Sequence, residues 1–220
     1  VKGTNYPIPA NLGYYLDAGI HIDGPDSEQI IIQGNKIHHA RYTANNWTQV
    51  SPYFSNSNNL STHPQGPDAV VFAQVTKGRH VIRWNNIGSD SQDLDHMFND
   101  ALLASEPLGN GLVTDGDVYG NRISDCWDDG IEAERGDRNV RIWGNHFARM
   151  IKCVSVGYVW QGPLYVWRNV AEDLLHPMEM PAPYNGGRSP FVAHPPCFIP
   201  PPQEDPSENR NGILFVYHNT

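Results

Sequence analysis

The densest group of chemically useful side chains lies in two short stretches near the middle of the chain. It consists of four acids and two bases: Asp125, Asp128, Asp129, Glu132, Arg149 and Lys152. Hard carboxylate oxygens crowded on a turn suit Ca²⁺, which takes roughly six to eight oxygen ligands and tolerates irregular geometry. We therefore expect the four acids to form a calcium site.

Two other interpretations of the aspartates stay open. A pair of carboxyl groups about 6.5–9.5 Å apart can carry out inverting glycoside hydrolysis, one as acid and the other as base. In the structural alternative, Asp128 and Asp129 only stabilise the turn before Gly130, where Asp is favoured. The residue types alone do not choose among these three.

Lys152 and Arg149 suggest elimination chemistry. A lyase removes the proton α to a uronate carboxylate and needs a base beside that carbon and a cation to neutralise the developing charge. We predict Lys152 or Arg149 as the base, Asp129 as a further catalytic residue, and Ca²⁺ as the neutralising cation. The alternative is a surface ion pair between Lys152 and Asp129 or Asp128, which contributes little stability.

Composition limits the classes of partner. The chain has 15 basic and 24 acidic residues and a net charge of −9, which argues against a nucleic acid partner. An acidic protein that acts on an acidic polymer needs a bridging cation, so the metal and the charge of the substrate are linked expectations. No stretch approaches the about 20 apolar residues of a membrane helix, and we expect no membrane span.

An internal repeat predicts the elements that hold these residues. Short alternating strands end in a Gly-Asn-x-apolar corner or a variant of it, and the corner recurs six times. The marker asparagines are Asn35, Asn86, Asn121, Asn145, Asn169 and Asn219, spaced by 51, 35, 24, 24 and 50 residues. A unit of about 24 residues is the length of one coil of a β-solenoid. The repeat predicts an all-β chain of about six coils with long insertions at about 40–68 and 177–206.

The repeat also predicts orientations. In the left-handed conformation, the marker asparagine would turn the corner, and its amide would bond the asparagines one coil above and below. Alternation within strands predicts eight inward-facing residues: Ile131, Ala133, Val140, Ile142, Val154, Val156, Leu164 and Val166. The polar corners would then stack along one edge and form the floor of a groove.

The repeat resembles that of right-handed parallel β-helix proteins of the pectate-lyase-like superfamily. The resemblance rests on the segment from Asp128 to Glu132 followed by the segment from Asn139 to Asn145, and on 162–166, which is similar to the late coils of that superfamily. It covers roughly 17–40, 80–170 and the last eight residues. Polysaccharide lyases, pectin-type hydrolases, epimerases, tailspikes and adhesins share this fold, so the fold does not decide the activity.

The resemblance implies a secreted or cell-surface protein that acts on a polysaccharide. We expect a lyase that cleaves an acidic, uronate-containing glycan by β-elimination. A non-catalytic glycan-binding or structural module of the tailspike or adhesin type and an inverting hydrolase are the alternatives. The Gly-His-Gly and Arg-Ile-Lys signatures of the polygalacturonase-type members are absent from the chain.

Aromatic and basic side chains around the groove are the candidates for binding sugar. Trp47 and Tyr53 in the first insertion, Trp127 at the acidic corner and Arg188 in the second insertion are predicted to contact substrate. Trp143, Trp160 and Trp167 either form sugar platforms or stack with aromatic residues of neighbouring coils as a ladder.

The predicted domain organisation is simple. We expect one β-helix domain over 1–220. The final Asn219-Thr220 falls in mid-coil, and we expect the remainder of a longer chain or another polypeptide to continue the helix.

Overall fold

Parallel β-sheets form the part of the chain that the computed structural model describes. The described residues are 18–22, 24–40, 43–46, 64–72, 76–89, 96–104, 114–133, 136–156, 159, 161–174 and 213–220. Every strand pairing among them is parallel. The predicted all-β class is confirmed for these residues.

Sixteen strands of the described residues are distributed over three sheets. Sheet 1 contains, in order across the sheet, β1 (Ala18–Ile22), β4 (Asp68–Phe72), β7 (Leu102–Ala104), β10 (Asp129–Glu132) and β13 (Lys152–Ser155). Sheet 2 contains β2 (Ile31–Gln33), β5 (Val81–Arg83), β8 (Asp117–Tyr119), β11 (Val140–Trp143), β14 (Leu164–Trp167) and β16 (Leu214–Tyr217). Sheet 3 contains β3 (Lys36–Ile37), β6 (Asn86–Ile87), β9 (Arg122–Ser124), β12 (His146–Ala148) and β15 (Val170–Glu172).

Strands β1–β15 belong to sheets 1, 2 and 3 in turn. The fourth strand returns to sheet 1 and pairs with the first, so each of these strands pairs with the strand three places away, whereas β16 pairs with β14. We call three successive strands, one in each sheet, a triplet. Strands β1–β15 form five triplets, and β16 adds one strand to sheet 2. Equivalent residues of successive triplets are therefore neighbours about 4.8 Å apart.

Alternating small and branched apolar side chains fill the space between the sheets. The eight predicted inward-facing residues all lie in the main core and are at most 1% exposed: Ile131, Ala133, Val140, Ile142, Val154, Val156, Leu164 and Val166. That prediction is confirmed. The alternation succeeds because one face of each sheet is buried, and a shift of one residue would expose every one of these side chains.

The corners between sheets 2 and 3 carry a continuous column of asparagine side chains. The Asn column consists of Asn35, Asn85, Asn121, Asn145, Asn169 and Asn219. Each of the first five donates its backbone N–H and its Nδ2 to the Oδ1 of the next, at 2.9–3.1 Å. The predicted bonding between asparagines of neighbouring repeats is confirmed.

Two details of that prediction were wrong. The column member in the second triplet is Asn85, whereas Asn86 is the exposed first residue of β6. The residue before each column asparagine, not the asparagine, has the left-handed conformation; Trp84 has φ 55° and Gly144 has φ 63°. Only two residues connect each strand of sheet 2 to the following strand of sheet 3. The first residue, in the left-handed conformation, turns the corner, and the second is left to bond along the column.

Aromatic side chains stack along the outer face of sheet 2. The aromatic ladder consists of Tyr119, Trp143, Trp167 and Tyr217, whose successive ring centroids are 4.4, 5.8 and 5.9 Å apart. The interplanar angles of 7–16° mean that each inner ring has a neighbour on both faces. Of the two interpretations of Trp143 and Trp167, the structure supports the ladder, because no free face remains for a sugar ring.

The predicted insertions fall largely outside the described residues. None of 177–206 is described, and of 40–68 only residues 40, 43–46 and 64–68 are. These pieces of the first insertion lie beside the third triplet, where the Ala44 N–H donates to the Met97 carbonyl at 3.0 Å. The single-domain organisation stays a prediction.

Candidate functional site

Three aspartates and a lysine occupy the same position on successive strands of sheet 1. The Asp129 N–H donates to Asp100 Oδ1 at 2.8 Å, and the Asp100 N–H donates to Asp68 Oδ1 at 3.1 Å. Asp129 is in turn the register partner of Lys152. We call Asp68, Asp100 and Asp129 the acidic column. The carboxyl groups of Asp68 and Asp100 are each held by the backbone N–H of the next column residue, so these two side chains are fixed relative to the sheet.

The local sequence explains why these aspartates align. Each precedes a small residue and an aliphatic residue, as in Asp68-Ala69-Val70, Asp100-Ala101-Leu102 and Asp129-Gly130-Ile131. The aliphatic residues are at most 1% exposed and anchor the strands in the core. A Cβ at Gly130 would lie 2.7 Å from the carbonyl oxygen of Cys153, so the middle residue must be small.

Sequence reasoning missed Asp68 and Asp100. The detectable signal is the tripeptide Asp-small-aliphatic, which occurs three times at separations of 32 and 29 residues. Neither separation equals the 24-residue unit of the Asn column, so the repeat in the sequence does not align the three aspartates. Only the pairing of β4, β7 and β10 brings them together.

Burial raises the pKa of two carboxyl groups in the acidic column, those of Asp68 and Asp100. Asp68, Asp100 and Asp129 are 2%, 4% and 7% exposed. Burial raises the pKa of Asp68 to about 7, although hydrogen bonds from Asp100 and Asn99 lower it. Burial, and then the negative charges of Asp128 and Glu132, raise the pKa of Asp100 well above its ordinary value. A carboxyl group that keeps its proton near neutral pH can act as a proton donor.

Asn99 joins two of the carboxyl groups. Its Nδ2 donates to Asp100 Oδ2 at 2.6 Å and to Asp68 Oδ1 at 3.3 Å, and the residue is 6% exposed. The N–H of Asn99 donates to the Pro67 carbonyl, and the N–H of Asp128 donates to the Asn99 carbonyl. Residues 67, 99 and 128 therefore form a second row of equivalent positions beside the acidic column.

The remaining acids of the prediction differ in their surroundings. Asp128 is 7% exposed and directly precedes the column member Asp129. Glu132 is half-buried at the other end of β10 and is the register partner of Ser155. Both are near enough to Asp100 to raise its pKa. The structure thus brings Asp128, Asp129 and Glu132 together with Asp68 and Asp100 on one sheet.

Asp125 and Arg149 form a separate pair at the preceding corner. Arg149 Nε and Nη2 donate to the two carboxylate oxygens of Asp125 at 2.6 and 2.8 Å. The Ser124 hydroxyl also donates to Asp125 Oδ2 at 2.6 Å. Asp125 is 3% exposed, so its charge is compensated by a bidentate guanidinium contact. This contact orients the Arg149 side chain towards Asp125. The residue predicted as a catalytic base therefore has a structural role.

The metal prediction remains a prediction. Among the described residues, no group of three or more His, Cys, Asp or Glu side chains has an arrangement that could hold a metal ion. Of the four expected ligands, Asp125 has both carboxylate oxygens in hydrogen bonds to protein groups. Asp128, Asp129 and Glu132 lie on or next to β10. A cation bound by fewer than three protein side chains is compatible with this arrangement.

The predicted sugar contacts are only partly described. Trp127 is 8% exposed and packs with Ala44 and Met97 in a small cluster beside the main core. A sugar could reach its ring only if that cluster opened. Trp47, Tyr53 and Arg188 lie outside the described residues. Substrate contacts by these four residues stay predictions.

The chain matches no protein-family model, no curated protein and no solved structure. In the described part of the chain, no helix is long and apolar enough to cross a membrane.

Proposed function

We propose that the chain is a right-handed parallel β-helix of the pectate-lyase-like type that acts on a polysaccharide at the acidic column of sheet 1. The strand order supports the fold, since each of β1–β15 pairs in parallel with the strand three places away and the corner asparagines stack in register. A protein that acts on such polymers works outside the cytoplasm, so we propose a secreted or cell-surface location.

The protonation of Asp100 carries the proposed chemistry. Burial and the nearby charges of Asp128 and Glu132 raise the pKa of its carboxyl group well above the ordinary value, which favours the protonated form. Asp129, the most exposed member of the column, is its neighbour towards Lys152. We assign the neighbouring carboxyls of Asp100 and Asp129 to proton donation onto the glycosidic oxygen as water attacks the anomeric carbon. Glu132, three residues beyond Asp129, points to the opposite face of the sheet and has no role in this step.

Electrostatics favour hydrolysis of a neutral or weakly charged glycan as the first candidate. Five carboxyl groups, those of Asp68, Asp100, Asp128, Asp129 and Glu132, lie on or beside three adjacent strands. Arg149 already binds Asp125 in a bidentate contact. A polyuronate would be repelled by ionised carboxylates here unless a cation came between them.

The position of Lys152 supports β-elimination as a second candidate. Lys152 is the register partner of Asp129, so a uronate on this face could meet a lysine base and an acidic column on adjacent strands. This reaction needs Ca²⁺ or a second cation to neutralise the uronate. A non-catalytic glycan-binding module is the remaining alternative, since burial of the column also fits a structural role.

Products released from neutral and acidic polysaccharides distinguish these proposals. Hydrolysis creates reducing ends without ultraviolet absorbance, whereas elimination creates an absorbing unsaturated uronate. We expect Asp129→Asn to lower turnover at least about a hundredfold. The matched control is Asp117→Asn, because Asp117 begins a strand of sheet 2 and pairs with Arg141 away from the column.

Three outcomes separate the candidates. Loss of activity in Lys152→Ala, with a calcium requirement and absorbing products, would identify the lyase. Turnover that survives Asp129→Asn in a folded variant would refute a role for the acidic column. Binding to a glycan without product release would favour the non-catalytic module.

A further inference from the structure

The corner between sheets 2 and 3 is positively charged in a chain that is acidic as a whole. In each triplet this corner consists of the last residue of the sheet 2 strand, two connecting residues and the first residue of the sheet 3 strand. The five segments, 33–36, 83–86, 119–122, 143–146 and 167–170, contain one lysine, three arginines and no Asp or Glu. The whole chain has 15 basic and 24 acidic residues, so charge is segregated at this corner.

The four cations and an exposed tryptophan form what we call the basic face: Lys36, Arg83, Trp84, Arg122 and Arg168. Three of the cations are exposed, and Arg83 is half-buried. Within the described part of the chain, none of the four has a salt bridge. The bordering Glu172 is bound to His146, with Oε1 3.0 Å from Nε2. Asp117, two residues before the corner, is likewise bound to Arg141 at 2.7 Å.

Arg83 is held in a fixed position by neutral groups. Its Nε donates to Gln33 Oε1 at 2.8 Å, and its Nη1 donates to the Tyr119 hydroxyl at 2.7 Å. Its guanidinium carbon lies 4.5 Å from the centre of the Trp84 ring. These partners orient the guanidinium without compensating its charge, and Nη2 makes no hydrogen bond to the described residues. An oriented guanidinium with free donors suits an anionic group of a ligand.

Trp84 is exposed at a position where three of the other triplets have glycine. It has the left-handed conformation, with φ 55°, like Gly34, Gly120 and Gly144 at the equivalent position. This conformation is unfavourable for a bulky residue. Because Trp84 is 56% exposed, burial in the core does not offset that cost. The indole lies over Gly120, where a Cβ would be only 2.7 Å from its Cδ1. A strained and exposed tryptophan of this kind indicates a binding role.

We propose that the basic face is a second glycan site, which binds an anionic polysaccharide away from the acidic column of sheet 1. Trp84 stacks on the apolar face of one sugar ring, and Arg83 binds a carboxylate or sulfate group beside it. Lys36, Arg122 and Arg168 bind further anionic groups along the polymer. The site does not require activity at the acidic column, and it holds the chain on a polymer that ionised carboxylates of the column would repel.

The spacing of the cations favours a polysaccharide over a nucleic acid. Lys36 belongs to the first triplet and Arg168 to the fifth, so the four cations extend over about 19 Å. That is about one charge in 5 Å, against one phosphate per about 1.7 Å of a DNA duplex. A single strand stacks successive bases on several aromatic rings. The rings of the aromatic ladder stack on one another, which leaves Trp84 as a single platform within the five segments.

Calorimetry with the full 220-residue chain tests the second site. The ligands are a uronate oligosaccharide, a sulfated oligosaccharide and a neutral oligosaccharide of the same length, with a chelator present to remove bridging cations. We expect at least one charged oligosaccharide to bind at least about tenfold more tightly than the neutral one. The tighter of the two charged ligands identifies carboxylate or sulfate as the recognised group.

Trp84→Gly is the most informative variant, because glycine is the residue that other triplets have at this position. It should keep the chain folded and weaken binding at least about tenfold. Arg122→Gln should weaken binding at least about threefold. The matched control is Arg138→Gln, the same change at an exposed arginine before β11, and it should leave binding unchanged. Asp129→Asn should also leave it unchanged, because the acidic column is not part of this site.

Denaturation curves show that each variant is folded before binding is compared. Failure of both charged oligosaccharides to bind the folded chain, or equal binding of the neutral one, would overturn the proposal. Unchanged affinity in folded Trp84→Gly, or equal effects of Arg122→Gln and Arg138→Gln, would show that the ligand binds elsewhere. A single-stranded oligonucleotide that binds more tightly than either charged oligosaccharide would overturn the assigned class of ligand.

Discussion

Asp100 receives a hydrogen bond from the backbone N–H of Asp129 at 2.8 Å while its own N–H donates to Asp68 Oδ1 at 3.1 Å. The acidic column therefore uses the same arrangement as the Asn column, in which a side-chain oxygen of one strand accepts the backbone N–H of its neighbour. A carboxyl oxygen can replace an amide oxygen as acceptor, but it introduces a titratable group into a buried row. That difference gives sheet 1 a chemistry that the asparagine corner lacks.

The first prediction concerns pH and Asp68. Its pKa is about 7 in the folded chain against 3.8 ordinarily, so the folded state binds the proton more tightly. Between these values the free energy of unfolding should fall as pH rises, by up to about 1.4 kcal/mol per pH unit from this group. Asp68→Asn should flatten that decline in urea denaturation. Asp117→Asn, on the other sheet, should leave the slope of the wild type.

An unchanged slope in Asp68→Asn would mean that Asp68 ionises in the folded chain as it does in the unfolded one. Asp100 contributes in the same direction because its pKa is also raised. Asp68→Asn should therefore reduce the slope without removing it. Asp100→Asn in the same background should flatten it further.

The second prediction concerns the centre of the Asn column. Asn145 accepts from Asn121 and donates to Asn169 and to the Val118 carbonyl, all at 3.0 Å. Asn145→Ala leaves these buried groups without partners and should lower the free energy of unfolding by about 1–3 kcal/mol. Asn35→Ala, at the exposed end of the column, should have a smaller effect. Equal effects at both positions would show that the column does not contribute through its buried bonds.

The third prediction concerns the space beside Gly130. Gly130→Ala would place a Cβ 2.7 Å from both the Cys153 carbonyl oxygen and Met150 Sδ. Because the oxygen belongs to the backbone of β13, the strand must shift, and we expect a loss of about 1–3 kcal/mol in stability. Gly144→Ala is the control, since its Cβ would meet nothing within 4 Å and only its φ of +63° opposes the change. Thermal unfolding compares the two, and a less stable Gly144→Ala would contradict the packing argument.

The fourth prediction concerns the structural role of Arg149. Arg149→Met leaves the Asp125 carboxylate, 3% exposed, without its bidentate partner, and should destabilise the chain by about 3–5 kcal/mol. Asp125→Asn should recover part of this loss in the double variant, because it removes the uncompensated charge. A double-mutant cycle of unfolding free energies measures the coupling. Additive effects would mean that the pair contributes no stability of its own.

The repeat in the sequence was sufficient for the strands and their inward faces. Val140, Ile142, Leu164 and Val166 alternate with polar or aromatic residues at a period of two, and burial of one sheet face makes this pattern unambiguous. The 24-residue separation likewise placed Asn121, Asn145 and Asn169 in one column. Local alternation and a constant repeat length are properties of the chain itself, so the sequence by itself determined them.

Only the tertiary structure decided the register where the repeat length varies. Asn85 fits the Gly-Asn-x-apolar corner better than Asn86, since Ile87 follows it at the second position, and its contact with Asn121 shows that it is the column member. Asp68 and Asp100 joined Asp129 only through pairing across intervals of 32 and 29 residues. Asp125 and Arg149 are 24 residues apart, so the repeat places them at equivalent positions of neighbouring triplets, but only the structure shows their bidentate contact. Such contacts depend on which strands become neighbours in a sheet. Hydrogen bonding between parallel strands fixes that pairing only when the chain has folded.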